Sequence, residues 1–305
     1  MSADSQDTVQ ATVQDTVFDP PFAVAEPDRQ RAPFVFNAPH SGDAYPESFL
    51  AASTLDPAAL RRSEDAFVDR LFAGVVAAGA PLMSARFPRA YLDVNREPYE
   101  LDPRMFDGRL PAYANTRSMR VAGGLGTIPR IVADGHDIYR ERVKVEDALQ
   151  RIERLYKPYH RELRRQLGRT TDRFGHVVLI DCHSMPSTSL GRDDAVGADI
   201  VLGDRYGTSC AGQLTDLVSA ALETRGYAVI RNKPYAGGYI TEHYGAPSLG
   251  RHALQIEVNR ALYMDERTLT TSHRFATVSV DLAAVFAAVM GEPSLDLAPR
   301  RIAAE

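Results

Sequence analysis

Short apolar runs alternate with longer amphipathic stretches along this chain. Val177-Val178-Leu179-Ile180 is a run of branched residues that reads as a strand buried on both faces. Pro33-Phe34-Val35-Phe36-Asn37, Asp199 to Gly203, Tyr227 to Ile230 and Ala253 to Val258 read as further strands. Pro81 to Ala85 and Ala90 to Val94 read as extended. Between them, Asp56-Pro57 opens a helix or a pair of helical turns, with Phe67, Val68, Leu71, Phe72 and Val75 along one face. Ile138 to Leu167 carries the longest helical pattern, with a kink or break expected at Pro158. Leu214 to Leu222 and Thr277 to Met290 complete the helices. Strands alternating with helices predict an α/β fold, a three-layer sandwich whose mixed, largely parallel central sheet is flanked by helices. No linker or repeat interrupts residues 19–290, which are expected to form a single domain. Residues 1–18 are expected to be a mobile lead-in and residues 291–305 a tail.

The 305 residues are 44% hydrophobic, ample for a sizeable core, and the formal net charge is −5 with no basic stripe. That balance points away from nucleic acid as a partner. No apolar run approaches the length of a membrane span, and no signal-peptide core is visible, so neither membrane nor export is expected. Cys182 and Cys210 are the only cysteines. The lack of a disulfide framework fits a reducing cytoplasm. Cys182 lies within the strand pattern and reads as a small apolar filler rather than a catalytic thiol.

The chemistry begins where the Val177 strand stops. It ends in Asp181-Cys182-His183-Ser184, placing an acid and an imidazole at the strand's carboxyl end, where open α/β sheets bind ligands. His183 could be an ordinary core histidine. It could equally be a metal ligand whose orientation a neighbouring carboxylate fixes. His40 also follows a strand, in Pro39-His40-Ser41-Gly42, and Asp65, beside Glu64, precedes amphipathic helical residues. Two imidazoles and one carboxylate are a donor set typical of catalytic zinc, with a fourth position for water. Ligand type alone leaves other divalent ions open. Glu257, in Gln255-Ile256-Glu257-Val258, sits in a strand whose neighbours look buried, where a carboxylate is costly unless it is paired. It is either a plain buried ion pair or a general base for metal-activated water. Arg89 and the tetrad Asp93-Val94-Asn95-Arg96 close another apolar stretch. A guanidinium there suits an acidic substrate, or forms a structural salt bridge with Asp93 or Glu97. Gly123-Gly124-Leu125-Gly126 and Gly237-Gly238-Tyr239 read as loops without a phosphate role, and Tyr239 could reach into a site.

Taken in order, Pro39-His40-Ser41-Gly42, Asp65 with Val68-Asp69 and Leu71, Arg89 with Asp93-Val94-Asn95-Arg96, Pro158-Tyr159-His160, Asp181-Cys182-His183-Ser184, Asn232 to Ile240 and Gln255-Ile256-Glu257 resemble the N-formylglutamate amidohydrolase family. That family is similar to zinc carboxypeptidases and aspartoacylases. The matching pieces span about residues 33 to 265. The resemblance implies a zinc-dependent cytoplasmic amidohydrolase that removes the formyl group from an acidic amino acid, as in histidine breakdown. It implies His40, Asp65 and His183 as metal ligands, with Glu64 an alternative to Asp65, and Glu257 as base. Arg96, helped by Asn95, would hold the substrate carboxylate, Tyr239 would contact the substrate, and Arg89 would steady the oxyanion. The chain departs from the family pattern at Glu242, where a basic residue is expected in many relatives. Competing readings are an amidohydrolase or carboxypeptidase for another N-acyl amino acid or small peptide, and a metal-free binding protein on the same scaffold.

Overall fold

The computed structural model describes residues 18–132, 135–189, 197–293, 295 and 297–299. The expected lead-in lies outside the described residues except for Phe18, as does part of the expected tail. Seven strands form one sheet: β1 Phe22–Ala25, β2 Phe34–Ala38, β3 Leu82–Ala85, β4 Val177–Met185, β5 Ile200–Gly203, β6 Val229–Arg231 and β7 Arg251–Asn259. Their order is β1-β3-β2-β4-β7-β5-β6. β2 runs parallel to both β3 and β4, β4 is parallel to β7, and β5 is parallel to β6 but antiparallel to β7. Helices flank this mixed, mostly parallel sheet, so the architecture is the one the alternation of patterns predicts.

Alternation along the central strands separates a core from a site. Phe34, Phe36 and Ala38 of β2, Val178, Ile180 and Cys182 of β4, and Leu254, Ile256 and Val258 of β7 belong to one apolar cluster. The helices Gly212–Thr224 and Phe275–Met290 contribute Leu214, Val218, Leu282, Val285 and Phe286 to it. The intervening residues point to the opposite face. That face starts apolar, with Val35, Leu179 and Ala253, and turns polar toward the carboxyl ends, with Asn37, Asp181, His183, Gln255 and Glu257. Strand register sets Asn37 beside Asp181, Asp181 beside Gln255, and His183 beside Glu257.

The described chain divides into two compact units. One, residues 24–39, 65–84 and 162–299, holds nearly all of the sheet and the apolar cluster above. The other comprises residues 18–23, 40–64 and 85–161 and has its own small core of Phe49, Leu60, Ala90, Val132 and Ile138. There Arg151 lies 3.8 Å from the Tyr91 ring centroid and donates to the Tyr139 hydroxyl at 2.7 Å. Among the described residues no helix is long and apolar enough to cross a membrane.

Three local expectations are corrected. Ala90 to Val94 is a turn and loop, because the Tyr91 and Leu92 amides fold back on the Pro88 carbonyl and Asp93 N–H donates to Thr127 O. The long helical stretch begins at Val145 rather than Ile138. Residues 138–140 instead commit their backbone groups to residues 52 and 54 and to Arg130. Nor does the helix break at Pro158. A π-helical turn, Ile152–Tyr156, joins Val145–Arg151 to Lys157–Phe174. A wider turn just before a proline makes room for a ring that would otherwise meet the carbonyl four residues back.

Gly42 sits where two backbone segments touch: a Cβ built there would lie 2.2 Å from Phe87 O and 2.6 Å from the Arg86 carbonyl carbon. Backbone cannot yield as a flexible side chain can. Gly42→Ala is therefore expected to cost about 1–3 kcal/mol of stability, read from urea unfolding. An unchanged midpoint would show that this approach is not tight.

Candidate metal centre and active site

Four buried groups anchor the sheet face of the site. Asp181 and His183 stand two residues apart on β4 and therefore share a face. Asp181 Oδ2 lies 2.8 Å from His183 Nε2, and Asp181 Oδ1 accepts from Asn37 Nδ2 at 2.7 Å. His183 Nδ1 lies 2.9 Å from Asp65 Oδ2. Burial opposes charge on the imidazole, but Asp181, Asp65 and Glu257 outweigh it and hold the pKa of His183 well above its ordinary value. The other Asp65 oxygen accepts from Ser184 Oγ and from Arg260 Nη2, each at 3.2 Å. Glu257 accepts from Gln255 Nε2 at 2.8 Å, and the oxygen of that same amide accepts from Gly238 N–H at 2.8 Å. Gly237 and Gly238 lie in a loop, as expected, and Gly238 is the cap residue of the short helix Tyr239–Tyr244.

His40 is fixed in a comparable way. Asp93 Oδ1 lies 2.8 Å from His40 Nε2 and accepts the Asn95 N–H at 2.8 Å. Asp93 Oδ2 accepts from Arg89 Nε at 3.0 Å and lies 3.6 Å from Arg96 Nη2. Burial would raise the Asp93 pKa. The charges of Arg96, His40 and Arg89 overcome that and hold the carboxyl well below the usual carboxylate range. The Arg96 guanidinium donates to Leu125 O at 2.8 Å and Asn95 O at 2.7 Å. The Tyr156 hydroxyl donates to Arg96 O at 2.7 Å, and His160 Nε2 meets Val94 O at 2.9 Å. The Pro158-Tyr159-His160 motif thus sits in the stretch that secures the Val94 to Arg96 loop.

His40, Asp65 and His183 are all buried, and their ligand atoms lie within 4.8 Å of one another. This group could bind a metal ion, and its donors suit one. Two tetrahedral ligands of a single ion, each about 2.0–2.2 Å from it, stand about 3.4 Å apart, so the 2.9 Å contact between His183 Nδ1 and Asp65 Oδ2 would widen on binding. In each histidine Nε2 is backed by a carboxylate, the arrangement that orients metal-bound imidazoles. The group contains Asp65 and not Glu64. The latter is engaged by Arg61 at 3.1 Å and by the Tyr45 hydroxyl at 2.7 Å.

Tyr239 is half-buried, its ring stacked on His243 at 5.0 Å and its hydroxyl 3.3 Å from His243 Nδ1. Glu242 pairs with Arg205 at 3.1 Å. Cys182 lies within the apolar cluster, and burial pushes its thiol pKa well up. Sequence reasoning missed Arg260, which also donates to Ser184 Oγ at 3.1 Å. It missed Asp93 as the partner of His40 as well. Arg260 carried a faint signal, a cation just past the buried Glu257 strand. Asp93 carried none, since only folding brings residues 40 and 93 together.

Comparison with known proteins supplies the family of the chain. The N-formylglutamate amidohydrolase family model matches residues 32–264. The chain is 30% identical over 244 residues to the N-formylglutamate deformylase of Pseudomonas aeruginosa, a match covering 78% of this chain and 85% of that protein. The corresponding deformylase of Pseudomonas putida is 29% identical over 243 residues, covering 77% and 83%. The crystal structure of N-formylglutamate amidohydrolase from Ralstonia eutropha JMP134 has a TM-score of 0.83 at 36% identity, covering 88% of this chain and 98% of that one. Fold and relatives define a hydrolase that acts on an amide bond. The chain belongs to the N-formylglutamate amidohydrolase family.

If the buried group binds a divalent ion, Asp181→Asn, which removes the carboxylate beside His183 Nε2, is expected to weaken that affinity about 10–100-fold, measured by chelator competition. Unchanged affinity would remove His183 from the ligand set or Asp181 from its support.

Proposed function

We propose that this chain hydrolyses N-formyl-L-glutamate to formate and L-glutamate, with one divalent ion, zinc foremost, held by His40, Asp65 and His183. The supporting observation is that Glu257 occupies the register position beside His183 on the same sheet face, next to the buried donor group. The names of the relatives support the substrate. Histidine breakdown in the cytoplasm is the setting that goes with this reading.

A formamide resists attack because its nitrogen lone pair is delocalised into the carbonyl. When bound, the ion supplies Lewis-acid polarisation and a water acidic enough to ionise near neutral pH. Glu257 takes the proton from the attacking water and later delivers it to the leaving amine nitrogen. Gln255 holds Glu257 Oε1, so the base keeps a fixed orientation between the two proton transfers. Arg89, aligned by Asp93, steadies the negative charge that builds on the formyl oxygen. Arg96 and Asn95 grip the substrate carboxylate, and Tyr239 lines the substrate's path. Asp93 serves both sides of this chemistry, since it orients His40 and pairs with the two arginines.

Formate release from N-formylglutamate, assayed beside N-acetyl and dipeptide analogues with metal content recorded, tests the reading. Turnover of the formyl substrate that a chelator abolishes and zinc restores is expected. Hydrolysis of the acetyl or dipeptide analogues instead would reassign the substrate. Glu257→Gln is expected to retain bound metal and lose about 10²–10⁴-fold in kcat. Full turnover in that variant would take Glu257 out of the base role.

A further inference from the structure

Asp65 lies on irregular backbone just before the helical turn Val68–Leu71. Phe67, at the start of that turn, adopts a φ of 65°, a left-handed conformation that a bulky residue rarely takes. Local secondary structure therefore does not fix where the Asp65 carboxylate points. The hold comes from the chain that follows β7. That strand ends at Asn259, paired with Met185, and Arg260 opens the helical turn Arg260–Leu262. Asn259 Oδ1 caps the turn by accepting Ala261 N–H at 3.0 Å, and Arg260 O accepts Tyr263 N–H at 3.1 Å. The same segment grips the neighbourhood of Asp65 twice. Arg260 reaches the carboxylate, and the buried Tyr263 hydroxyl donates to Ala66 O at 3.0 Å. Asp65, Ala66, His183, Ser184, Arg260 and Tyr263 all belong to one compact unit.

The two oxygens of Asp65 have different neighbours. Oδ2 lies 2.9 Å from His183 Nδ1, another member of the buried donor group. Oδ1 accepts from Arg260 Nη2 and from Ser184 Oγ, each at 3.2 Å. Arg260 Nε also donates to Ser184 Oγ, at 3.1 Å. A hydroxyl has one proton, and with Nε–H aimed at its oxygen Ser184 is left to send that proton to Asp65. The planar guanidinium thus holds Oδ1 directly through one nitrogen and indirectly through another, a fork that a point charge could not reproduce. Both partners of the ion pair are buried, where such a contact is exchanged for water only at high cost.

How many oxygens Asp65 lends to an ion decides how many positions remain. Two imidazoles and one oxygen leave the fourth tetrahedral position to water, whereas two imidazoles and both oxygens fill all four. We propose that Arg260 is a positioning residue that reserves Asp65 Oδ1, so that Asp65 binds the ion through Oδ2 alone and one position stays open for water. This rests on the ion site of His40, Asp65 and His183 proposed above and adds to it the residue that keeps it open. Arg260 acts through Asp65 and touches neither ion nor substrate.

The test reads coordination as well as turnover. Visible absorption of the cobalt(II)-loaded full chain is intense for four ligands and weakens when a fifth joins, so it is compared in wild type, R260Q and Y263F. R260Q is expected to keep one ion per chain, to absorb more weakly than wild type and to lose about 10–100-fold in kcat. Y263F loosens the backbone beside Asp65 without releasing Oδ1 and is expected to keep the wild-type spectrum. Zinc-loaded wild-type crystals are expected to show Oδ2 about 2.0–2.2 Å from the ion and Oδ1 still bonded to Arg260. Those distances decide the matter even where R260Q does not fold. Both Asp65 oxygens bonded to zinc in wild type, an R260Q spectrum equal to wild type, or the same weakening in Y263F would overturn the Arg260 assignment alone. An ion bound away from His40, Asp65 and His183 would overturn the proposed metal site and the Arg260 assignment with it.

Discussion

The hydrogen bond between Asp181 and His183 is the interaction on which the site depends. Both side chains are buried on a central strand, where an ionised carboxylate or an unpartnered imidazole would be costly. Pairing them makes burial tolerable and turns the imidazole so that Nδ1 faces Asp65. Neighbouring strands extend the same solution, with Asn37 on one side of Asp181 and Gln255 and Glu257 on the other. Among the described residues no buried side-chain nitrogen or oxygen lacks a hydrogen-bond partner. A polar face of this density is stable only when completely satisfied, which also makes it rigid.

A second carboxylate, Asp93, organises another buried polar cluster. It touches His40, Arg89, the Asn95 amide and the Arg96 guanidinium, so histidine orientation and cation placement depend on one group. The loop bearing it is not held by sheet pairing. Tyr156 and His160 fix its carbonyls from a helix, and Thr127 accepts its amide. The geometry of this cluster is thus imposed on irregular backbone by residues outside it.

The other strands of the sheet and the final helix were legible because their apolar periods match the faces they bury, as in Val177–Met185 and Phe275–Met290, whereas the short, half-buried edge strand Phe22–Ala25 was not read. The Asp-x-His ending was legible for the same reason: a two-residue spacing on a strand puts both groups on one face. The ordered motifs outlined the family across about residues 33 to 265, and the family model spans 32–264. Ala90 to Val94 misled because an apolar buried loop and a buried strand have the same composition, and only the Pro88 and Thr127 contacts distinguish them. The choice between Glu64 and Asp65 could not be read from adjacent letters, since it turns on Arg61 and Tyr45 claiming Glu64. Arg260 and the Asp93–His40 pair stayed hidden because nothing local links residues 65 with 260, or 40 with 93.

The central claim is that one divalent ion is held jointly by His40, Asp65 and His183. Anomalous X-ray scattering at the zinc edge, collected from zinc-loaded crystals of the active protein, tests it most directly. One strong peak per chain is expected, with all three side chains about 2.0–2.2 Å away. A peak bonded elsewhere, or one that leaves any of the three out of its coordination sphere, would contradict it.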